Sequence, residues 1–360
     1  MSAVDDGIVE VDQAFADIID FCLGCRACEP VCPGLVQYGR VFEGARAEIS
    51  AQLPGRDKER RWQLGRALGS RGLLGVGTIL LSVSQSVGAM RFAPKKYERV
   101  TSGLRRLSDR PKASIGHVGG TGDAGTVALL TGCVQDQWFR PVNEAAVRLL
   151  EMAGHRVEAP SAQTCCGALA AHDGKTDAAH SFAATNTRVF SKYEMIVATA
   201  AGCSAHLQGY NHWSEGGGEV ADVVLDITVA VARAIEDGRL PRSQVARGRI
   251  AIQDPCHLRH AQRVTLEPRK ILAAAGYEVV ETDPNGMCCG AAGIYTITQP
   301  EASEKLGNQK ADQVRSTGVD RVASANPGCE MQLRSYLDDN HEVAHPIEWY
   351  LKAIEEDRTG

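Results

Sequence analysis

Cys165-Cys166-Gly167 recurs 123 residues later as Cys288-Cys289-Gly290, and this repeat constrains the chain more than any other feature. Cys133 lies 32 positions before the first pair, and Cys256 lies 32 before the second. Gly202-Cys203 follows the first pair; Gly328-Cys329 follows the second, after three additional residues. Two copies of C-x31-CCG-x36/39-C therefore take eight of the twelve cysteines. Three cysteines sharing one offset mark an internal duplication, so the chain must fold around two copies of one unit.

The other four cysteines form Cys22-x2-Cys25-x2-Cys28-x3-Cys32-Pro33. This is the bacterial ferredoxin run, whose thiolates turn inward on an iron–sulfur cluster. A zinc knuckle is the competing reading, but three cysteines at two-residue intervals are much more specific to iron–sulfur. Where two such runs occur, the fourth cysteine of each ligates the other run's cluster. With one run, either Cys32 closes a single cluster locally or a first run precedes Met1. The nearness of the run to the start favours the second, and the expected cofactor is one or two 4Fe-4S clusters. Residues 1–20 lack the basic-then-apolar layout of a secretory signal. A cytoplasmic location follows, where thiols stay reduced and twelve cysteines are better explained by metal ligation than by disulfides.

At 360 residues the chain is long enough for two or three domains. Its net charge of -5 gives no nucleic-acid footprint. The charge is uneven: residues 40–112 hold 16 Lys+Arg against 6 Asp+Glu, leaving 23 (39 less 16) against 38 (44 less 6) elsewhere. Within that basic segment, Gly72 to Met90 carries no charge. Leu73, Val76, Leu80, Val83, Val87 and Met90 recur at three and four spacings, which predicts an amphipathic helix and not a membrane span. The plainer expectation is that this stripe packs on the protein's own domain. The sharper one is that it rests on an anionic membrane or a partner, with Arg60, Arg61, Arg66, Arg71, Arg91, Lys95 and Lys96 at its flanks.

Gly120-x-Gly122-x-x-Gly125 matches the dinucleotide fingerprint but precedes an apolar run instead of following a strand and opening a helix. It is rejected as a nucleotide site, and with no other flavin or nicotinamide motif, electrons must come from another chain. Each repeat alternates strand and helix. The first reads as strand 127–130, helix 143–152, strand 156–159, helix 176–193 and strand 195–199. The second reads as 249–252, 268–275, 278–281, 301–315 and 321–324 in the same order. Alternation of this kind predicts a parallel sheet with helices covering it. Cys133, Cys165-Cys166 and Cys203, like their twins, fall just past strand ends, where open parallel sheets bind ligands. Four thiols should therefore meet at one mouth per repeat.

These residues resemble the cysteine-rich domain family named for its CCG motif, found in heterodisulfide reductases and in lactate-utilisation and glycolate oxidase iron–sulfur subunits. Cys25 to Pro33 (CRACEPVCP) and Asn326-Pro327-Gly328-Cys329 carry the likeness most closely. The order of parts is most similar to the glycolate oxidase iron–sulfur subunits. The resemblance implies an α/β chain: a small all-α ferredoxin-like domain (1–45), a basic helical connector (46–123), and two Rossmann-like CCG domains (124–243 and 244–360). It also implies an FAD-containing 2-hydroxy-acid oxidase subunit as partner and a membrane acceptor downstream, with the chain peripheral on the inner face of the cell membrane.

Two departures stand out. Those subunits carry two ferredoxin runs, and the heterodisulfide reductase pattern ends each repeat in Cys-x2-Cys. Here the last positions are His206 and Gln332. The candidate ligands are therefore Cys22, Cys25, Cys28 and Cys32 at the run; Cys133, Cys165, Cys166, Cys203 and His206 at the first repeat; and Cys256, Cys288, Cys289 and Cys329 at the second. Four thiolates would hold a further 4Fe-4S cluster or a zinc ion. The leading expectation is an electron-transfer subunit with no substrate pocket of its own. Thiol–disulfide catalysis at a CCG site, and zinc-bound CCG scaffolds with one redox cluster, are the alternatives.

Overall fold

The computed structural model describes residue 4 and residues 6–53, 70–92 and 101–359. Of the basic flanks named above, Arg60, Arg61, Arg66, Lys95 and Lys96 lie outside the described residues. The first helix, α1 (Gln13–Phe21), starts where the Asp12 carboxylate accepts the Phe15 N–H at 2.8 Å and caps it. The cysteine run follows as a loop leading to α2 (Tyr38–Gln52). Asp20 and Arg46 pair at 2.6 Å, tying α1 to α2.

Helix α3 (Arg71–Ser86) forms where the stripe predicts it, but the stripe faces outward. Leu73, Val76, Ile79, Leu80, Val83 and Val87 are each more than half exposed, while Leu74 and Thr78 are buried. The inner face is held by polar bonds. Trp138 Nε1 donates to Thr78 Oγ1 at 2.9 Å, and Gln85 Nε2 donates to Arg105 O at 3.0 Å. Periodicity identifies residues that share a face; it does not say which way that face points. The expectation that the stripe packs on its own domain is thus corrected.

The first repeat carries β1 (Val118–Gly119), β2 (Thr126–Leu130), α4 (Arg140–Met152), β3 (Arg156–Glu158), α5 (Thr176–Phe190), β4 (Ile196–Ala198), α6 (Ala201–Leu207), β5 (Val224–Asp226) and α7 (Ile227–Glu236). The second carries β6 (Arg249–Gln253), α8 (Leu266–Ala274), β7 (Glu278–Glu281), α9 (Pro300–Arg315), β8 (Arg321–Ser324), α10 (Pro327–Tyr336), β9 (Glu342–Ala344) and α11 (Pro346–Thr359). The sheet orders are β1-β3-β2-β4-β5 and β7-β6-β8-β9. Apart from the antiparallel edge β1, all pairings are parallel, with Val127 opposite Val157, Leu129 opposite Val197, and Ile252 opposite Ala323. Each repeat thus has the same order, second-first-third-fourth, and its direction reverses between first and third strands. That reversal point is where open α/β sheets place ligands. The rejected glycine motif lies in the loop between β1 and β2 and opens no helix.

One core runs through both repeats. Leu129, Leu149, Val231 and Ile235 of the first are continuous with Ile271, Leu272, Trp349 and Ile354 of the second. Helices α4, α7, α8 and α11 pack on one another to form it. Arg105 clips the connector to this body. Its guanidinium bonds Glu330 at 2.6 and 2.7 Å and Glu348 at 2.6 and 2.7 Å. Removing the cation would strand the buried Glu330 carboxylate and the half-buried Glu348, a loss of about 3–5 kcal/mol for such pairs.

Candidate metal centres

The two repeats bring their thiols together in the same way. Cys133 follows β2, Cys165 and Cys166 sit in the loop after β3, and Cys203 lies in the first turn of α6. Cys133 Sγ is 3.5 Å from Cys165 Sγ, and side-chain contacts continue from Cys165 to Cys166 to Cys203. In the second repeat the line runs Cys256, Cys288, Cys289, Cys329, with Cys289 and Cys329 Sγ 3.0 Å apart. Cys133, Cys165, Cys166, Cys288, Cys289 and Cys329 are buried. Hydrogen bonding to Cys165 and to Cys288, followed by burial, pushes the Cys133 and Cys256 thiols well above the ordinary value. Such thiols become thiolates when a cation supplies the opposing charge.

This donor set fits a thiophilic metal centre. Among the described residues no group of His, Cys, Asp or Glu already stands in ligand geometry. The sulfurs approach one another closely, at 3.5 Å for Cys133–Cys165 and 3.0 Å for Cys289–Cys329, whereas four sulfurs about 2.3 Å from one zinc ion stand roughly 3.8 Å apart. A cluster needs more room still.

The CCG glycines shape both loops. Gly167 and Gly290 have φ of +95° and +87°, a left-handed turn that side chains resist. Other supports were not legible in the sequence. Asn186 Nδ2 donates to Cys165 O at 2.9 Å, and the Tyr210 hydroxyl donates to Cys166 O at 2.7 Å. In the second repeat Ser303 Oγ donates to Gly290 O at 2.9 Å, and Gln332 Nε2 donates to Ser303 O at 3.1 Å. Gln332, standing where a fifth cysteine would be, braces the loop. A buried ion pair, Lys310 to Asp283 at 2.7 Å, anchors the approach to Cys288, since Asp283 also accepts the Asn285 N–H at 2.9 Å.

His206 lies beside Gly167 but keeps other company. Its ring stands 6.3 Å from His172, 5.8 Å from Tyr210 and 5.5 Å from Trp213, centre to centre. His172 in turn is 5.4 Å from His257, and its Nδ1 is 2.9 Å from Glu43. Burial first, then the neighbouring histidines, hold His206 neutral at a pKa of about 3, partly offset by Glu43. His206 thus belongs to a histidine cluster facing the N-terminal region.

The N-terminal loop is shaped by left-handed residues Gly24, Arg26 and Leu35. Glu29 pairs with Arg26 at 2.8 Å and accepts the Gly39 N–H at 2.8 Å. Cys22, Cys25 and Cys28 share one field: burial first, then the neighbouring thiolates, raise Cys25 and Cys28. Cys32 is held below its ordinary value by the Val36 N–H, with Gly34 N–H and the Tyr38 hydroxyl assisting. The loop docks on the second repeat. His257 Nε2 is 3.1 Å from Gly24 O, and the Tyr295 hydroxyl donates to Phe21 O at 3.0 Å. Cys25 lies within the electrostatic reach of Cys256. Near the first repeat's thiols stands a guanidinium instead, that of Arg71.

Comparison with known proteins agrees with this geometry. A family described as "Cysteine-rich domain" (CCG) matches residues 127–208 and 250–334, one segment per repeat. The chain is 32% identical to the probable glycolate oxidase iron-sulfur subunit of Bacillus subtilis over 93% of this chain and 81% of that one. It is 27% identical to the glycolate oxidase iron-sulfur subunit of Escherichia coli over 97% and 85%. It is also 32% identical to a fumarate reductase (CoM/CoB) subunit of Methanothermobacter marburgensis, over 65% of this chain and 48% of the relative. No helix among the described residues is long and apolar enough to cross a membrane. The chain therefore belongs to the CCG-domain family of iron–sulfur oxidoreductase subunits, related to glycolate oxidase iron–sulfur subunits and to the CCG-bearing subunits of heterodisulfide reductases.

Proposed function

We propose that this chain is the electron-transfer subunit of a flavin-dependent 2-hydroxy-acid dehydrogenase of glycolate or lactate type. It takes electrons from an FAD-containing partner and passes them to a membrane or other acceptor. The observation that carries the reading is the docking of the N-terminal cysteine loop on the second repeat, where Gly24 O, next to Cys25, stands 3.1 Å from Nε2 of His257, next to Cys256. Two redox centres in one path require such adjacency.

Cys22, Cys25, Cys28 and Cys32 would hold a 4Fe-4S cluster. Cys133, Cys165, Cys166 and Cys203, and their twins Cys256, Cys288, Cys289 and Cys329, would hold further clusters or zinc. When bound, a cluster supplies one-electron chemistry at a potential set by charge, burial and hydrogen bonds to sulfur. The chain's own part is to place and tune. Asn186, Tyr210, Ser303 and Gln332 fix the backbone of the two CCG loops. Buried walls exclude water, and Asn326 Nδ2, 3.7 Å from Cys329 Sγ, directs an N–H at sulfur. Hydrogen bonds to neighbouring thiols, then burial, raise the pKa of the paired thiols, which disfavours thiol–disulfide chemistry, since that uses accessible, low-pKa thiolates. The exposed row on α3 suits a peripheral contact at the inner face of the cytoplasmic membrane.

Iron and acid-labile sulfide, measured on protein purified without oxygen, test the reading. Both should be present, and the visible absorbance should bleach when a flavoprotein partner is supplied with its hydroxy acid. Zinc alone, with no sulfide, would overturn it.

A further inference from the structure

Helix α3 has two unlike faces. On the inner one, Leu74 shares a buried cluster with Cys133, Cys165 and Cys166. Arg71 Nη2 donates to Thr131 Oγ1 at 3.4 Å, two residues before Cys133. The helix thus covers the first thiol centre. On the outer face stand Leu73, Val76, Ile79, Leu80, Val83 and Val87, each more than half exposed. Gly72, Gly75 and Gly77 of the same helix would meet nothing within 4 Å if each were given a Cβ. No described residue screens this crest. One helix, about 10–12 Å across with its side chains, separates it from the first thiols.

The make-up of the crest selects its occupant. All six side chains are aliphatic, and none is the tyrosine, tryptophan or arginine that anchors most protein interfaces. Acyl chains ask for no directional bonds, and an aliphatic row on an amphipathic helix suits them. Charge points the same way. No Asp or Glu occurs from Ser70 to Phe92. Residues 40–112 hold 16 Lys+Arg against 6 Asp+Glu, while the rest of the chain holds 23 against 38. A negative surface would attract the one segment and repel the remainder, which orients the molecule. Exposed Arg106 is fixed at the helix, with Asp109 at 3.6 Å. Gln85 of α3 holds the backbone on both sides of it, donating to Arg105 O at 3.0 Å and accepting the Leu107 N–H at 2.9 Å.

Resting on the peripheral contact of the electron-transfer reading, we propose that α3 seats the chain on an anionic lipid surface. The aliphatic crest enters the acyl boundary, Arg106 meets the headgroups, and the first thiol centre stands one helix above the lipid. The second centre is met by the N-terminal loop instead, through His257 and Tyr295. The two repeats would then serve different neighbours, the first the membrane side and the second the cysteine run.

Flotation of the full chain, purified without oxygen, with vesicles of phosphatidylcholine alone or mixed equally with phosphatidylglycerol tests the proposal. The chain should bind the mixed vesicles about tenfold or more tightly than the neutral ones, and rising salt should release it. Val76→Ser/Val83→Ser should weaken binding by about tenfold or more, and Arg106→Glu by about fivefold or more. Val245→Ser/Leu266→Ser, which removes two exposed apolar side chains elsewhere, should bind as the parent does. Melting temperatures should stay unchanged, since every altered residue is exposed. Equal binding to neutral vesicles, or parental binding by Val76→Ser/Val83→Ser, would overturn the proposal. So would a parent dimer in sedimentation that this variant abolishes, which would put a second copy on the crest. Iron and sulfide content of the same sample judges the relay reading separately, because vesicle binding depends on neither.

Discussion

Gly290 sets the tightest steric demand in either centre. A Cβ there would stand 2.8 Å from Leu306 Cβ and 3.0 Å from Ser303 O, at a φ of +87°. At Gly167 the nearest atom is His206 Nε2 at 3.3 Å, the end of a side chain. Gly290→Ala should therefore lower stability by about 2–4 kcal/mol, from left-handed strain and overpacking together. Gly167→Ala should cost about 1–2 kcal/mol, from strain alone. Urea midpoints of the two variants would show the order, and equal losses would refute it. Asp136 offers a test in pH. Burial raises its pKa to about 6, although Arg140 and Arg71 pull it down, and its Oδ1 has no partner. The unfolded chain loses this proton near pH 4, while the folded chain keeps it to about 6. Stability from this group is thus greatest in acid and falls as pH rises through that window. Asp136→Asn should be more stable than the parent at pH 8, by about 1–2 kcal/mol after allowing for partial solvation. The gain should vanish below pH 4. Thermal unfolding across pH would detect it, and a constant offset would argue against Asp136 as its source.

Elements divide sharply into those legible in the sequence and those not. All six predicted strands form, with bounds within a residue or two; β2 and β4 are legible as continuous apolar runs because they are buried on both faces. The fourth strands, Val224–Asp226 and Glu342–Ala344, are three residues each and too short for such a signal. Clustering of the cysteines was legible because strand ends of a parallel sheet share one edge. The bracing groups Asn186, Ser303 and Lys310 were not, since each meets its loop only through tertiary contact. Orientation of α3 was equally hidden. Its outer row of large apolar residues carries the pattern, whereas its inner face is fixed by Thr78, which receives the Trp138 N–H at 2.9 Å and donates to Leu74 O at 2.7 Å. Thr78→Val should cost about 1–3 kcal/mol by stranding the indole N–H. Val76→Ser/Val83→Ser, on the exposed row, should change stability by only about 0.5 kcal/mol or less. Comparing their denaturation midpoints tests the orientation; a large loss in the second variant would place the row inside.

At the scale of the whole molecule, duplication has produced two similar mouths with different neighbours. The repeats share strand order, thiol spacing and a single core, so symmetry alone would give their centres equal standing. The N-terminal region breaks that symmetry. Tyr295 and His257, both from the second repeat, bond its backbone, and Cys25 feels Cys256. The first repeat meets α3 through Arg71, near Cys133 and Cys165. A cluster held by the cysteine run would set negative charge beside the second mouth, while Arg71 sets a cation beside the first; clusters at the two mouths would then differ in potential, the second falling lower, because added negative charge disfavours reduction and positive charge favours it. The asymmetry predicts an unequal response to ligand loss. Cys256→Ser should alter the potential and electron-spin resonance signal of the N-terminal cluster, whose Cys25 lies in its field. Cys133→Ser should leave that signal unchanged while lowering iron content. Anaerobic redox titration of the two variants against the parent distinguishes them. If Cys133→Ser shifts the N-terminal signal and Cys256→Ser does not, the relay does not pass through the second mouth, and the docking of the cysteine loop there serves packing alone.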